Sequence, residues 1–195
     1  MFRSFFHISK FNFKLFHKLL PNQNNIILDY GCGNGVYSKN YRSSKVKKIL
    51  LYDKNRKIKK FIKKKYRNNQ NIFWLDKLDS NYNIVLINSV IQYMNNNELK
   101  ILIKFFIEKK VKKIIISDIP KYPRLVESIF LIFLNPRKLL FGLKYLFNQS
   151  YRKTDFYVRE ANCIKKMGFD YLCSITKNLN EEDFLRYSIV LKPKY

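Results

Sequence analysis

Three glycines at alternate positions, Gly31, Gly33 and Gly35, follow one carboxylate, Asp29, at the end of the apolar run Ile26-Ile27-Leu28. Glycines in this spacing let a backbone bend sharply and approach a ligand with no side chain in the way, so the chemistry they suit is cofactor binding. A dinucleotide fingerprint needs its third glycine at the position that Val36 occupies, which disfavours a pyrophosphate. Cys32 lies inside the turn, where a small filler beside a ligand is expected rather than a nucleophile. A second carboxylate, Asp53, ends the run Lys48-Ile49-Leu50-Leu51-Tyr52. It can accept hydrogen bonds from both hydroxyls of a ribose or cap a helix beginning near Asn55, and the two roles are compatible.

These residues need strands that bring their ends together. Residues 26–28 and 48–53 suit buried parallel strands, and residues 36–41 can open a helix between them. A Lys-rich helix is expected over residues 54–67, with Ile58, Phe61 and Ile62 as its buried stripe. Short strands follow at 71–75 and 82–88, separated by a turn. A helix over 96–109, capped by Asn96 or Asn97, buries Leu99, Leu102, Ile103, Phe106 and Ile107, and a strand over 112–117 comes next. A helix at 155–167, stopped by Gly168, precedes strands at 171–176 and 185–192. Alternation of strand and helix that closes on two successive strands predicts an α/β fold: one Rossmann-like, doubly wound, mostly parallel seven-stranded sheet with an antiparallel terminal strand.

The form Asp-x-Gly-x-Gly-x-Gly from Asp29 to Gly35, with Leu28 before it and Asp53 one strand on, resembles the first motif of class I S-adenosylmethionine-dependent methyltransferases. The element order over about 26–192 is similar to that family as well. The resemblance implies S-adenosylmethionine as cofactor, held by Asp29, Gly31, Cys32, Gly33, Gly35 and Asp53. It further implies Asp76 near the adenine, where a turn or cap role is the alternative, and Asn88 at the head of a segment, 88–94, lining the crevice between cofactor and acceptor. That segment resembles the small-molecule branch. The (Asp/Asn/Ser)-Pro-Pro-aromatic sequence of nucleobase amino methyltransferases is absent after Asn88, and no cysteine follows a proline anywhere in the chain. Base methylation is thereby disfavoured, while ribose and phosphate-linked acceptors stay open.

The expected activity is methyl transfer to a small-molecule, sugar or lipid-linked acceptor. An RNA methyltransferase and a non-catalytic methyltransferase-like binding module are the alternatives. No catalytic residue is singled out: His7 and His17 lie in the amino-terminal segment, so a base from the core has to be Asp118, Asp155 or a tyrosine. Tyr30, Tyr37 or Tyr93 can stabilise a sulfonium through its aromatic face.

At 195 residues and 47% hydrophobic content the chain fits one domain. Residues 1–25 are expected to form an amino-terminal helical lid, and residues 26–195 the methyltransferase domain, interrupted by a helical cap at about 120–151. Three cysteines without metal spacing suit a reduced, cytoplasmic protein. The net charge of +25 fits either a nucleic acid partner or a solvated lysine face written by an AT-rich genome; the solvated face is favoured. The apolar stretch Ile129 to Leu134 is far too short to span a bilayer, which leaves peripheral membrane contact, through the basic, apolar cap or an amphipathic amino-terminal anchor, as the alternative to a hairpin packed on the core and an amino-terminal lid.

Overall fold

Four short runs of Ile, Leu and Val supply the centre of the molecule. Ile27 and Leu28, Ile49 to Leu51, Ile84 to Ile87 and Ile114 to Ile116 are all buried, so these strands are covered on both faces, as parallel strands require. A computed structural model of the chain describes residues 13–21, 23–120, 164, 171–176 and 186–194. In chain order its elements are α1 (Phe13–Leu19), β1 (Asn25–Tyr30), β2 (Val46–Tyr52), α2 (Lys59–Lys65), β3 (Ile72–Trp74), β4 (Ile84–Asn88), α3 (Asn96–Glu108), β5 (Lys113–Pro120), β6 (Tyr171–Thr176) and β7 (Arg186–Pro193).

The seven strands form one sheet in the order β3-β2-β1-β4-β5-β7-β6. Pairings among β1 to β5 are parallel, while β7 runs antiparallel to both β5 and β6. The strand order reverses between β1 and β4: the chain leaves β1 toward β2 and β3 on one side, then returns to β4 on the other. Crevices that bind ligands in open α/β sheets lie at the carboxyl ends of such a pair.

Alternate side chains divide between two cores. Leu28, Leu50, Val85, Ile87, Ile114 and Ile116 face α3, whose Leu99, Leu102, Ile103 and Phe106 are buried with them; Ile164 joins this cluster. Ile27, Ile49, Leu51, Ile84, Leu86 and Ile115 face the other way, against Phe16 of α1 and Ile62 of α2. Each such side chain contributes roughly 1.5–3 kcal/mol by leaving water. Lys113 of β5 fastens α1 to the sheet by donating to the Leu19 carbonyl.

Several expectations change. Residues 36–41 do not open an α-helix; they form one tight 3-10 turn, Ser38–Tyr41, before β2. The sheet face that a longer helix would cover is taken by α1, whose Phe13 and Phe16 rings pack 5.8 and 5.2 Å from Tyr41. Phe61 is 50% exposed, and Tyr66 is buried in its place, because Ile58, Ile62 and Tyr66 repeat every four residues along one row. Helix α3 is capped by Asn95, one residue before the expected cap: its side chain accepts from the Glu98 amide while the Glu98 carboxylate accepts from the Asn95 amide. Ile107 is only partly buried. Strand β5 runs on to Pro120. The lid residues 1–12, most of the expected cap, and the helix at 155–167 apart from Ile164 lie outside the described residues.

Candidate cofactor site

Strand β1 ends at Tyr30, and the turn after it is fastened to the end of β2. The amides of Gly31 and Cys32 both donate to the Tyr52 carbonyl, at 2.7 and 3.1 Å. Gly31, Gly33 and Gly35 all have positive φ, at 76°, 53° and 61°, a conformation that side chains disfavour. Their surroundings differ. A Cβ on Gly31 would lie 2.4 Å from Val90 Cγ2, and one on Gly35 would lie 2.9 Å from Ile62, whereas a Cβ on Gly33 would meet nothing within 4 Å. Gly33 therefore faces open space, which a ligand can fill and a side chain would obstruct.

Three groups hold the turn from outside. Lys65 Nζ donates to the carbonyls of Asn34 and Gly35, at 3.0 and 2.8 Å, and the Tyr66 hydroxyl also donates to Gly35. Asp53, just past β2, accepts from the Gly33 amide at 3.0 Å and from the Asn55 amide at 2.8 Å. Asp53 thus braces the glycine loop and the start of the turn at Asn55, whereas the cap expected of it is supplied by Asn55. Asn55 in turn accepts from Lys57 and caps the short helical turn before α2.

A cleft of about 290 Å3 opens here, lined by Tyr30, Gly31, Asp53, Lys54, Ser89, Val90, Tyr93 and Met94. The segment expected to line the crevice, 88–94, thus supplies half of its wall, and of the expected aromatic residues Tyr30 and Tyr93 line it while Tyr37 does not. Lys54 was not singled out as a site residue; its position immediately after the strand-end carboxylate is the signal that marks it. A second hollow of about 300 Å3 continues from Tyr30, Lys54 and Met94 along α3 to Leu78, Ile101 and Phe105.

The remaining expected site residues fall in different places. Asp29 is buried under the turn, and burial, with the nearby Asp53 charge, pushes its carboxyl up to about 7. Burial and the same two carboxylates raise the Cys32 thiol well above its ordinary range, which disfavours the thiolate. Asn88 ends β4 and accepts from the Ser117 hydroxyl at 2.7 Å, which ties the ends of β4 and β5 together. Asp76 is exposed; its carboxylate pairs with Lys59 at 2.5 Å and accepts from the Trp74 indole at 3.1 Å, and it is not among the residues lining either hollow. Hydrogen bonding to Lys59 holds its carboxyl below the usual aspartate range.

No protein-family model matches the chain, and no curated protein matches its sequence. Solved structures do match. The magnesium protoporphyrin IX methyltransferase ChlM from Synechocystis PCC 6803 with bound SAH aligns with a TM-score of 0.57 at 17% identity, over 88% of this chain and 75% of that one. The N-methyltransferase NodS from Bradyrhizobium japonicum WM9 aligns with a TM-score of 0.55 at 9% identity, over 88% of each chain. The small RNA methyltransferase HEN1 aligns with a TM-score of 0.64 at 16% identity, over all of this chain and 26% of that one. The chain has the class I methyltransferase fold. The sheet order and its reversal between β1 and β4 put the glycine turn of this methyltransferase fold, and the carboxylate after β2, at one crevice. Among the described residues, no helix is long and apolar enough to cross a membrane.

Proposed function

We propose that the chain binds S-adenosylmethionine in the cleft at the ends of β1, β2 and β4 and transfers its methyl group to a small-molecule, sugar or lipid-linked acceptor in the cytoplasm. The observation that carries this reading is electrostatic. In a chain of net charge +25, a carboxylate, Asp53, accepts from the glycine turn, and only a four-residue 3-10 turn follows it. A pyrophosphate would face the Asp53 carboxylate and find no long helix N-terminus to hold it. A ligand with a sulfonium, an ammonium and a ribose fits both features.

The open space at Gly33 is the fit test for such a ligand, since an added side chain there would occupy it. The Gly31 to Gly35 turn, with Asp29 beneath it, would seat one end of the ligand, Asp53 would accept from the ribose hydroxyls, and Val90, Met94 and Tyr93 would offer apolar walls. When bound, the cofactor supplies a methyl group on positive sulfur, the leaving group that the protein itself lacks. The chain's part is to orient: Asp53 and the turn fix one reactant so that an acceptor docked beside it reacts at high effective concentration, and the apolar walls keep water from that place.

Calorimetry tests the donor. Gly33→Arg should abolish S-adenosylmethionine binding, and Asp53→Ala should weaken it by about a hundredfold through loss of charge-assisted hydrogen bonds. Unchanged affinity in both variants would refute the site. Labelled methyl transfer into fractionated extract then sorts the acceptor into small molecule, lipid, protein or RNA.

RNA as acceptor has one observation in its favour. Helix α2 presents Lys59, Lys60, Lys63, Lys64 and Lys65 beside the glycine turn, with Phe61 exposed among them. RNA binding that weakens steeply with salt, together with label in RNA, would establish this reading in place of the first.

A further inference from the structure

The carboxyl ends of β4 and β5 carry two residues in a backbone conformation that side chains avoid. Ser89 has φ 56° and Asp118 has φ 61°. Left-handed backbone at residues with a Cβ persists only where the surroundings enforce it, and it concentrates at functional sites. Asp118 also falls where the register between β5 and β7 shifts, between Ile116 and Ile119. A bulge of this kind re-aims a side chain that regular alternation would send elsewhere.

Together the two distortions achieve one contact: the Ser89 hydroxyl donates to the Asp118 carboxylate. The backbone beneath is braced, because the Ser89 amide donates to the Ser117 carbonyl at 3.1 Å and the Ser117 hydroxyl donates to Asn88. Asp118 is only 2% exposed, whereas Ser89 lines the cleft beside Gly31 and Asp53. With its hydrogen directed at Asp118, Ser89 Oγ has lone pairs left to accept a hydrogen bond from a molecule in the cleft. Tyr37, near enough to feel Asp118, is held protonated by burial and by that charge, so it does not compete as a base.

We propose that Ser89 receives the acceptor's proton and passes its own to Asp118 as the methyl group is transferred, and that the acceptor is accordingly a hydroxyl or an N–H nucleophile. The inference rests on the methyl-donor reading above. In the step, the acceptor's lone pair forms a bond to the methyl carbon while the carbon–sulfur bond breaks with its pair on sulfur. The acceptor hydrogen moves to Ser89 Oγ, and the Ser89 hydrogen moves to the carboxylate. A positive sulfonium and a negative carboxylate become a neutral thioether and a neutral carboxyl, so charge and atoms balance.

The left-handed backbone provides the discriminating variants. Glycine is at ease at φ 56° and 61°, so Ser89→Gly and Asp118→Gly relieve strain while removing the relay. The full chain is compared with both variants by thermal unfolding, by calorimetry with S-adenosylmethionine, and by labelled methyl transfer to the extract fraction that the unaltered chain labels. Melting temperatures within about 4 °C of the parent are expected. Donor affinity should stay within about threefold and acceptor KM should be little changed, while kcat falls by about a hundredfold or more. Formate should restore part of the turnover of Asp118→Gly by supplying the missing carboxylate. Variants that melt early and lose donor binding together would overturn the proposal in favour of a structural tie, as would variants that keep full turnover. Label found on sulfur, or donor binding with label on no hydroxyl or N–H group, would overturn it and leave the donor reading standing. Failure of the unaltered chain to bind S-adenosylmethionine would overturn both.

Discussion

Gly31 has no room for a side chain, and Gly33 has little else but room. The same residue type therefore serves packing at one position and ligand access at the other, and substitutions should separate the two. Gly31→Ala combines left-handed backbone with a collision against Val90 and should lose about 3 kcal/mol or more in urea unfolding. Adding Val90→Ala should return part of that loss. Gly33→Ala should lose only about 1 kcal/mol while weakening S-adenosylmethionine binding in calorimetry out of proportion. Asp29 makes a separate prediction about pH. Its carboxyl sits at about 7 in the fold against an ordinary 3.8, so between those values the folded chain holds a proton that the unfolded chain has released. Folding stability thus falls as pH rises from about 4 to about 7. Asp29→Asn should remove that slope and stabilise the chain above pH 7, by at most ~4 kcal/mol for a shift of this size. Denaturant midpoints at pH 4, 6 and 8 would check it.

Among the elements, α3 offers the simplest test. Its capping box satisfies two amides reciprocally, so Asn95→Ala should lower stability by about 1 kcal/mol, measurable by chemical unfolding, with no effect on the cleft's polar groups. The box also illustrates what could be seen beforehand. Asn95, Asn96 and Asn97 look alike by type, and only the three-residue spacing to Glu98 distinguishes Asn95. Strands with apolar runs were legible because burial on both faces leaves few other residue choices, and β6 coincides with the expected 171–176. The missing helix at 36–41 was not legible, because what displaces it is a contact with α1 from elsewhere in the chain. In the site, the glycines and Asp53 stood out because the turn restricts their types. Ser89 and Asp118 were less conspicuous, since left-handed backbone at a serine and a shifted register in β5 leave no pattern in composition or spacing.

At the scale of the whole molecule, 39 basic against 14 acidic side chains make self-repulsion a standing load on the folded state. Raising sodium chloride from 50 to 500 mM shortens the Debye length severalfold and should raise the melting temperature by several degrees, measured by scanning calorimetry without ligand. The sheet's order sets a further constraint, this one on time. Strand β7 is made after β6 yet lies between it and β5. On the ribosome, β6 thus emerges with no partner in the sheet, and the edge of β5 stays open until β7 follows. The sheet can close only once β7 has been made, and among the described residues no other strand pairs with that edge of β5 before then.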